Sequence, residues 1–212
     1  CGGPQKTIFF ATFTGSEIEM NTVVMTQEDQ AFANPVVNQV FKLRHETFID
    51  RLDWEITSTQ GMERDQFDDL DAFHIAVKTA GDEVVGCWRA LPTTDDYMLK
   101  NIFPELLQGE AAPELDDVWE ISRFAVRKGS SESSRGYMST TTIDLVKSFH
   151  EFAVQKGIKS YVTVTTVACE RMLRQLGVNL RRMGEGKALQ VGKERSVALW
   201  INVDSRLMIN AH

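Results

Sequence analysis

The period of apolar and polar residues changes several times along the chain, and each change marks an element. From Gln27 to Phe48 apolar residues return at helix-like intervals (Val36, Val40, Leu43, Phe48), with Pro35 interrupting the run. Ile49–Asp71 is charged and keeps no period, which predicts a loop or short-helix region; long irregular segments in compact domains usually serve function. Phe73–Thr79 alternates, Ala80-Gly81-Asp82-Glu83 turns, and Val84–Leu91 runs back, so a hairpin is predicted. A short helix around Met98–Leu107 contains Pro104, Val118–Val126 has strand character, and Lys128–Arg135 is a Ser/Gly-rich flexible link. Tyr137–Lys156 is amphipathic, with Leu145, Phe149, Phe152 and Ala153 on one face and Gly157 where a C-cap belongs. Ile158–Thr166 predicts a strand, Cys169–Leu176 a short helix stopped by Gly177, and the chain closes in a basic hairpin whose last strand is Ser196–Val203. Strands interleave with helices and no repeat is visible, so the expectation is one α/β domain with a mixed sheet. Residues 1–19 share none of this patterning and begin Cys-Gly-Gly-Pro; they are set aside as an N-terminal extension to a single domain over 20–212, with Met20 or Met25 as native starts.

Composition narrows function more than fold. At 212 residues, 42% hydrophobic and 25% charged, the chain can bury a core without staples and is neither disordered, collagen-like nor coiled coil. Its apolar runs are too short to span a bilayer. Cys1, Cys87 and Cys169 are too scattered for a disulfide framework or a zinc site, so reduced thiols in a cytoplasmic protein are expected. A net charge of −7 argues against general nucleic-acid binding. The charge is uneven, however. Residues 171–195 hold seven basic and two acidic side chains, a net +5 on an otherwise acidic chain. That stretch, with Arg171, Arg174, Arg181 and Arg182, suits an anionic partner docking in one place, or is a solvated helix face and hairpin.

Three clusters carry candidate chemistry. Arg44 and Phe48 stand four apart, on one face of a helix, and are followed by Trp54, Asp65 and Asp68. The two aspartates either cap a turn or hold an ammonium or an arginine. Arg89 lies in an apolar strand; if it points inward it must be paired, and Asp65 or Asp68 are natural partners, whereas an outward Arg89 needs none. Along Trp119–Phe124, alternation puts Glu120, Ser122 and Phe124 on one face and Trp119, Ile121 and Arg123 on the other, so Glu120 and Arg123 meet one ligand only if the strand bulges or splays.

In this order and spacing, Arg44, Phe48, Trp54, Asp65, Asp68, Arg89, Glu120 and Arg123 resemble the LuxI-type acyl-homoserine lactone synthases, the bacterial autoinducer synthases. Leu-Pro-Thr-Thr at 91–94, Tyr-Met-Leu-Lys at 97–100, Phe-Pro-Glu-Leu-Leu at 103–107 and Tyr-Val-Thr-Val-Thr-Thr at 161–166 extend the likeness over Phe41–Val203. The resemblance implies a GNAT-like three-layer α/β sandwich, a mixed twisted sheet with helices on both faces and a splayed acyl-chain cleft. It implies a cytoplasmic acyltransferase that joins S-adenosylmethionine, a substrate rather than a cofactor, to an acyl thioester on acyl carrier protein or coenzyme A. The products are the lactone, read by a separate receptor, and 5′-methylthioadenosine. No metal, nucleic acid or membrane is implied.

On this resemblance Glu120 is the general base and Arg123 acts with it. Arg44 and Arg123 pair with the donor carboxylate, and Phe48 and Trp54 hold its adenine and sulfonium. Asp65, Asp68 and Arg89 shape the donor pocket, while Ser122, Phe124, Thr163 and Thr165 meet the acyl chain. A Thr at the position of Thr165 accompanies 3-oxo-acyl products in similar synthases; as a common strand residue it also has a purely structural use. An acetyl-CoA acetyltransferase on the same fold is the rival, but Val126–Tyr137 lacks the glycine spacing that seats a diphosphate. For a non-catalytic binder, Glu120 has no use.

Overall fold

The computed structural model describes residues 8–9, 20–26, 29, 34–129 and 139–204. In chain order its elements are β1 (Ile8–Phe9), β2 (Met20–Met25), α1 (Pro35–His45), β3 (Ser58–Thr59), β4 (Met62–Glu63), β5 (Phe73–Thr79), β6 (Val84–Pro92), α2 (Met98–Asn101), β7 (Val118–Val126), α3 (Thr140–Lys156), β8 (Ser160–Thr166), α4 (Val167–Gln175), β9 (Leu180–Arg182), β10 (Leu189–Val191) and β11 (Glu194–Asn202). A π-helical turn, Glu46–Arg51, continues α1, and a 3-10 turn, Gln66–Asp69, precedes β5. Among the described residues, nine strands form one sheet in the order β1-β2-β5-β6-β7-β8-β11-β10, with β9 also paired to β11. Among the described residues only β7 and β8 run parallel.

The expected α/β sandwich is present, with shifted boundaries. Pro35 opens α1 instead of interrupting it: its missing N–H costs nothing in the first turn, and the Asn34 side chain accepts from the Val36 N–H. The start of the helix expected at Gln27 and most of the Lys128–Arg135 link lie outside the described residues, as do Tyr137 and Met138. Helix α3 begins at Thr140, capped by Ser139, and ends at Gly157, whose φ of +71° a side chain would resist. Strand β2, which the pattern did not show, runs antiparallel to β5, and β1 pairs with it, so the sheet reaches into the stretch set aside as an extension.

Helices cover both faces of the sheet. On the back face Leu145, Val146, Phe149, Phe152 and Ala153 of α3 and Leu173 of α4 pack on Ile75, Val77, Trp88, Tyr161, Leu199 and Ile201. Gly86 lets α3 approach, since a Cβ there would lie 2.6 Å from Leu145. On the front face Val37, Val40, Phe41 and Leu43 of α1 pack on Val23, Met25, Ala76, Val84, Cys87 and Ala125. Beside them Tyr97, Met98 and Leu99 of the α2 region cover Leu91, Val162 and Ala198. The parallel pairing of β7 with β8 stops at Ile121↔Thr163. Beyond it β7 continues along β6 to Val126 and β8 along β11 to Thr166, so the two strands part midway.

Candidate active site

The front face beside this parting carries a dense set of charges, and a bulge completes it. In the β6–β7 ladder Cys87 pairs with Ala125 and Arg89 with Ser122, so Arg123 and Phe124 together oppose the single residue Trp88. Arg123 takes a left-handed φ of +55°. The extra residue breaks alternation: Arg123 joins Glu120 and Ser122 in front, and Phe124 turns back to meet Phe149 of α3 edge-on. The expected faces of Arg123 and Phe124 are therefore exchanged, by the bulge that convergence of Glu120 and Arg123 requires.

Three guanidiniums and three carboxylates interlock here. Asp68 accepts both ends of the Arg44 fork at 2.8 and 2.9 Å and one bond from Arg89 at 2.7 Å. Asp65 accepts from Arg89 at 2.5 and 3.2 Å and lies 2.7 Å from Arg123. Glu63 accepts from Arg44 Nε at 2.5 Å and from Arg123 at 3.1 and 3.2 Å. The aspartates also do what a turn asks of them: Asp65 caps Gln66–Asp69 and Asp68 closes the capping box on the Asp65 N–H. Both readings of Asp65 and Asp68 hold at once.

Equal numbers of opposite charges keep the buried cluster neutral, without which it would not survive burial. Burial opposes the Arg44 charge, but Asp68 and Glu63 outweigh it and hold the proton more firmly than in a free arginine. Burial also opposes the Asp68 charge, and Arg44 and Arg89 overcome it, keeping the carboxyl well below its usual range. Buried His74, with Nε2 3.7 Å from Asp68, is pushed down to about 3, chiefly by burial; Arg44 and Arg89 reinforce this against Asp68, so the ring stays neutral. Fully buried Arg44, expected at the donor carboxylate, has its fork on Asp68 and its Nε on Glu63; it braces the cluster from behind.

Glu120 stands apart from this balance. Fully buried, it accepts from the peptide N–H of Met98 at 3.0 Å and of Leu99 at 2.7 Å, at the start of α2. Burial lifts its carboxyl to about 7 against the pull of those two N–H groups and the more distant Arg89 and Arg123. The Met98 sulfur in turn receives Arg89 at 3.2 Å and Arg123 at 3.3 Å, so α2 joins the carboxyl to the arginines.

Two aromatic rings stack beside the charges. Phe48, on the π-helical turn, stacks on Trp54 with centroids 4.9 Å apart, and the Arg123 guanidinium sits 5.5 Å from the Phe48 ring. Asp53, with a φ of +54°, ion-pairs with Lys193 beside the β10–β11 turn, which ties the Trp54 loop to the basic hairpin. Ser122 lies in front with Glu120, as alternation predicts, and accepts from Arg89 Nε at 3.1 Å. Thr163 and Thr165 share the back face with Tyr161, as alternation predicts, and flank the parting with Phe124.

The basic stretch is less free than its charge suggests. Arg174 and Arg182 both pair with Glu170, and Arg181 pairs with Glu110. Arg171 is exposed and makes no ion pair among the described residues. Sequence reasoning missed Glu63, His74 and the two peptide donors of α2.

The family model for autoinducer synthases matches residues 28–209. An acyl-homoserine-lactone synthase of Vibrio anguillarum is 40% identical over 81% of this chain and 90% of its own. The crystal structure of the AHL synthase LasI superposes with a TM-score of 0.79 at 36% identity, covering 91% of this chain and 94% of that one. TofI, solved in a ternary complex with an inhibitor and MTA, gives 0.72 at 30% identity over 88% and 94%. A protein described as an N-acetyltransferase from Lactobacillus plantarum, 13% identical with a TM-score of 0.55 over 87% of this chain and 99% of its own, shares the fold alone. Among the described residues no helix is long and apolar enough to cross a membrane. The chain belongs to the autoinducer synthase family, the acyl-homoserine-lactone synthases.

Proposed function

We propose that this synthase joins S-adenosylmethionine to an acyl chain carried as a thioester on acyl carrier protein, with a 3-oxo-acyl group preferred. The observation that carries this reading is Glu120, a buried carboxyl held by two peptide N–H groups with its proton affinity raised to about 7. Such a group takes a proton from an amine at neutral pH, directly or through one water, and a positioned base is worth about 10²–10⁴-fold. The freed amine attacks the thioester carbonyl; the C–S bond breaks and the carrier thiol leaves with a proton. The donor carboxylate then attacks the carbon next to sulfur, closing the lactone and releasing 5′-methylthioadenosine.

Arg123 is the arginine offered to the donor carboxylate, with Arg44 braced behind it on Glu63. Phe48 and Trp54 give the sulfonium and adenine aromatic faces. Asp65, Asp68, Arg89 and Ser122 hold the shape of this front pocket. The acyl chain passes through the parting of β7 and β8 to the back face, where Phe124, Thr163 and Thr165 lie. Binding of MTA by TofI supports the donor reading. Arg171 and its basic neighbours receive the acidic carrier. The lactone is then read by a separate receptor.

Purified enzyme incubated with S-adenosylmethionine and a panel of acyl-carrier and acyl-CoA thioesters tests this. The expected products are a 3-oxo-acyl lactone and 5′-methylthioadenosine in equal amounts, fastest from the carrier. Thioester turnover that does not require S-adenosylmethionine would point to an ordinary N-acyltransferase instead.

A further inference from the structure

Glu63 has no counterpart among the eight residues that carry the resemblance, yet it is the joint on which two of them meet. It is 1% exposed and lies on β4, a strand that pairs with β3 alone, apart from the main sheet. The turn between them, Gln60-Gly61, takes left-handed φ values of +54° and +71°, which a two-residue hairpin requires. Ser58 on β3 meets His45 Nδ1 at 2.7 Å and donates to the Met62 carbonyl at 3.0 Å. The small hairpin is thereby pinned to the end of α1, and the residue it delivers into the interior is Glu63. One oxygen accepts from Arg44 Nε, and the other from both Nε and Nη2 of Arg123.

Arg123 needs such a partner more than its neighbours do. Its backbone sits at +55° in a bulge, a conformation in which nothing in the β7 ladder dictates where the side chain goes. Burial lowers its proton affinity, reinforced by the nearby Arg44 charge, with Glu63 and Asp65 opposing. Asp65 is 13% exposed and shared with Arg89, whereas Glu63 is 1% exposed and backed by fully buried Arg44, whose fork is held by Asp68.

We propose that Glu63 is a positioning residue: it fixes the Arg123 guanidinium in the orientation that receives the donor carboxylate. This rests on the assignment of that carboxylate to Arg123. Without Glu63 the guanidinium folds onto Asp65, and Nη1, which now meets the Met98 sulfur, turns away from the donor.

The test is a double-mutant cycle on steady-state kinetics with S-adenosylmethionine as the varied substrate. Glu63→Gln is expected to lower kcat/KM for S-adenosylmethionine by at least tenfold, through KM, while KM for the acyl thioester stays within twofold. In an Arg123→Ala background the same change is expected to have less than a twofold effect. Glu63→Asp keeps the charge but withdraws the carboxylate by one methylene; it is expected to give a smaller loss with a melting temperature near wild type, and it serves if Glu63→Gln folds poorly. Wild-type or tighter donor use by a folded Glu63→Gln, or losses that simply add to those of Arg123→Ala, would overturn the proposal. If Arg123→Ala itself leaves donor kinetics unchanged, the carboxylate assignment fails, which is a separate result.

Discussion

Two buried carboxyls in one site shift in opposite directions, and their partners explain why. Asp68 shares its oxygens with two guanidiniums, so ionisation is rewarded by full charges at hydrogen-bond distance. Glu120 is given two peptide N–H groups, whose dipoles offset only part of the burial cost, and it titrates near 7. A base must be ionised to act, so kcat/KM for S-adenosylmethionine is expected to climb with pH along a limb centred near 7 and then level. Glu120→Gln should lose this limb and about two to four orders of magnitude in lactone formation; near-wild-type turnover would remove Glu120 from the mechanism. The same shift is linked to stability. The folded value is raised above the unfolded one, so folding takes up a proton, and stability from this group falls as pH rises from about 4.5 to about 7. Glu120→Gln does not titrate, so its stability relative to wild type should improve across that window, by roughly 3 kcal/mol in all, and its melting temperature should rise with it. Thermal melts of both proteins at pH 5 and pH 8 measure the difference. From the sequence, Glu120 was visible as a lone acid in an apolar strand, but its donors come from Met98 and Leu99, which only the tertiary fold brings close. Glu63 gave no such signal, because alternation set Arg123 on the face opposite Glu120 and left no arginine asking for a third carboxylate.

At the scale of elements, the decisive feature is one extra residue in β7. Alternation assigned every face correctly up to Ser122, because period-2 logic holds wherever the ladder is regular. Past the bulge it inverted, and nothing in the composition of Trp119–Phe124 reveals this, since an extra residue leaves no mark on the pattern of residue types. Strand β2 escaped notice because Met-Asn-Thr-Val-Val-Met is short and adjoins unpatterned sequence. The helices were legible from their 3.6 period, but their ends moved where Pro35 opens a first turn, where Ser139 and Thr166 cap, and where Pro104 starts a separate 3-10 turn after α2. The parting of β7 from β8 sets Thr165 beside the proposed acyl path, where its hydroxyl meets the Cys169 thiol, a weak partner. A 3-oxo oxygen satisfies that hydroxyl better, and an unsubstituted chain forfeits about 1–3 kcal/mol if no water substitutes. Thr165→Val is therefore expected to move the product ratio toward unsubstituted lactones with total activity kept within about tenfold. Lactone masses from mixed acyl-carrier substrates give the ratio, and an unchanged ratio would show that the hydroxyl does not select.

Over the whole molecule, charge summed along the sequence and charge presented on the surface are different quantities. The +5 of residues 171–195 omits Glu170, the residue just before it, and Glu110, distant in the chain, and both pair with its arginines. Glu170, 4% exposed, is held by Arg174 and Arg182 together, so those two arginines serve the fold before they serve any partner. Arg181 is likewise committed, to Glu110, which also accepts the Gly184 N–H. Arg171, exposed on the same helix as Arg174, is the cation of the four left to meet the proposed acidic carrier. A charge at the rim of an interface steers encounter more than it binds, and its effect fades as salt screens it. Arg171→Glu should thus raise KM for the acyl carrier thioester about fivefold at low ionic strength, flatten its salt dependence, and leave KM for S-adenosylmethionine unchanged. Arg182→Glu should behave differently, because it sets a second carboxylate against buried Glu170 and lowers the melting temperature before it alters docking. Kinetics at low and high salt, read beside thermal melts of both variants, separate the two effects; an Arg171→Glu enzyme with wild-type KM and salt slope would place the carrier on another face.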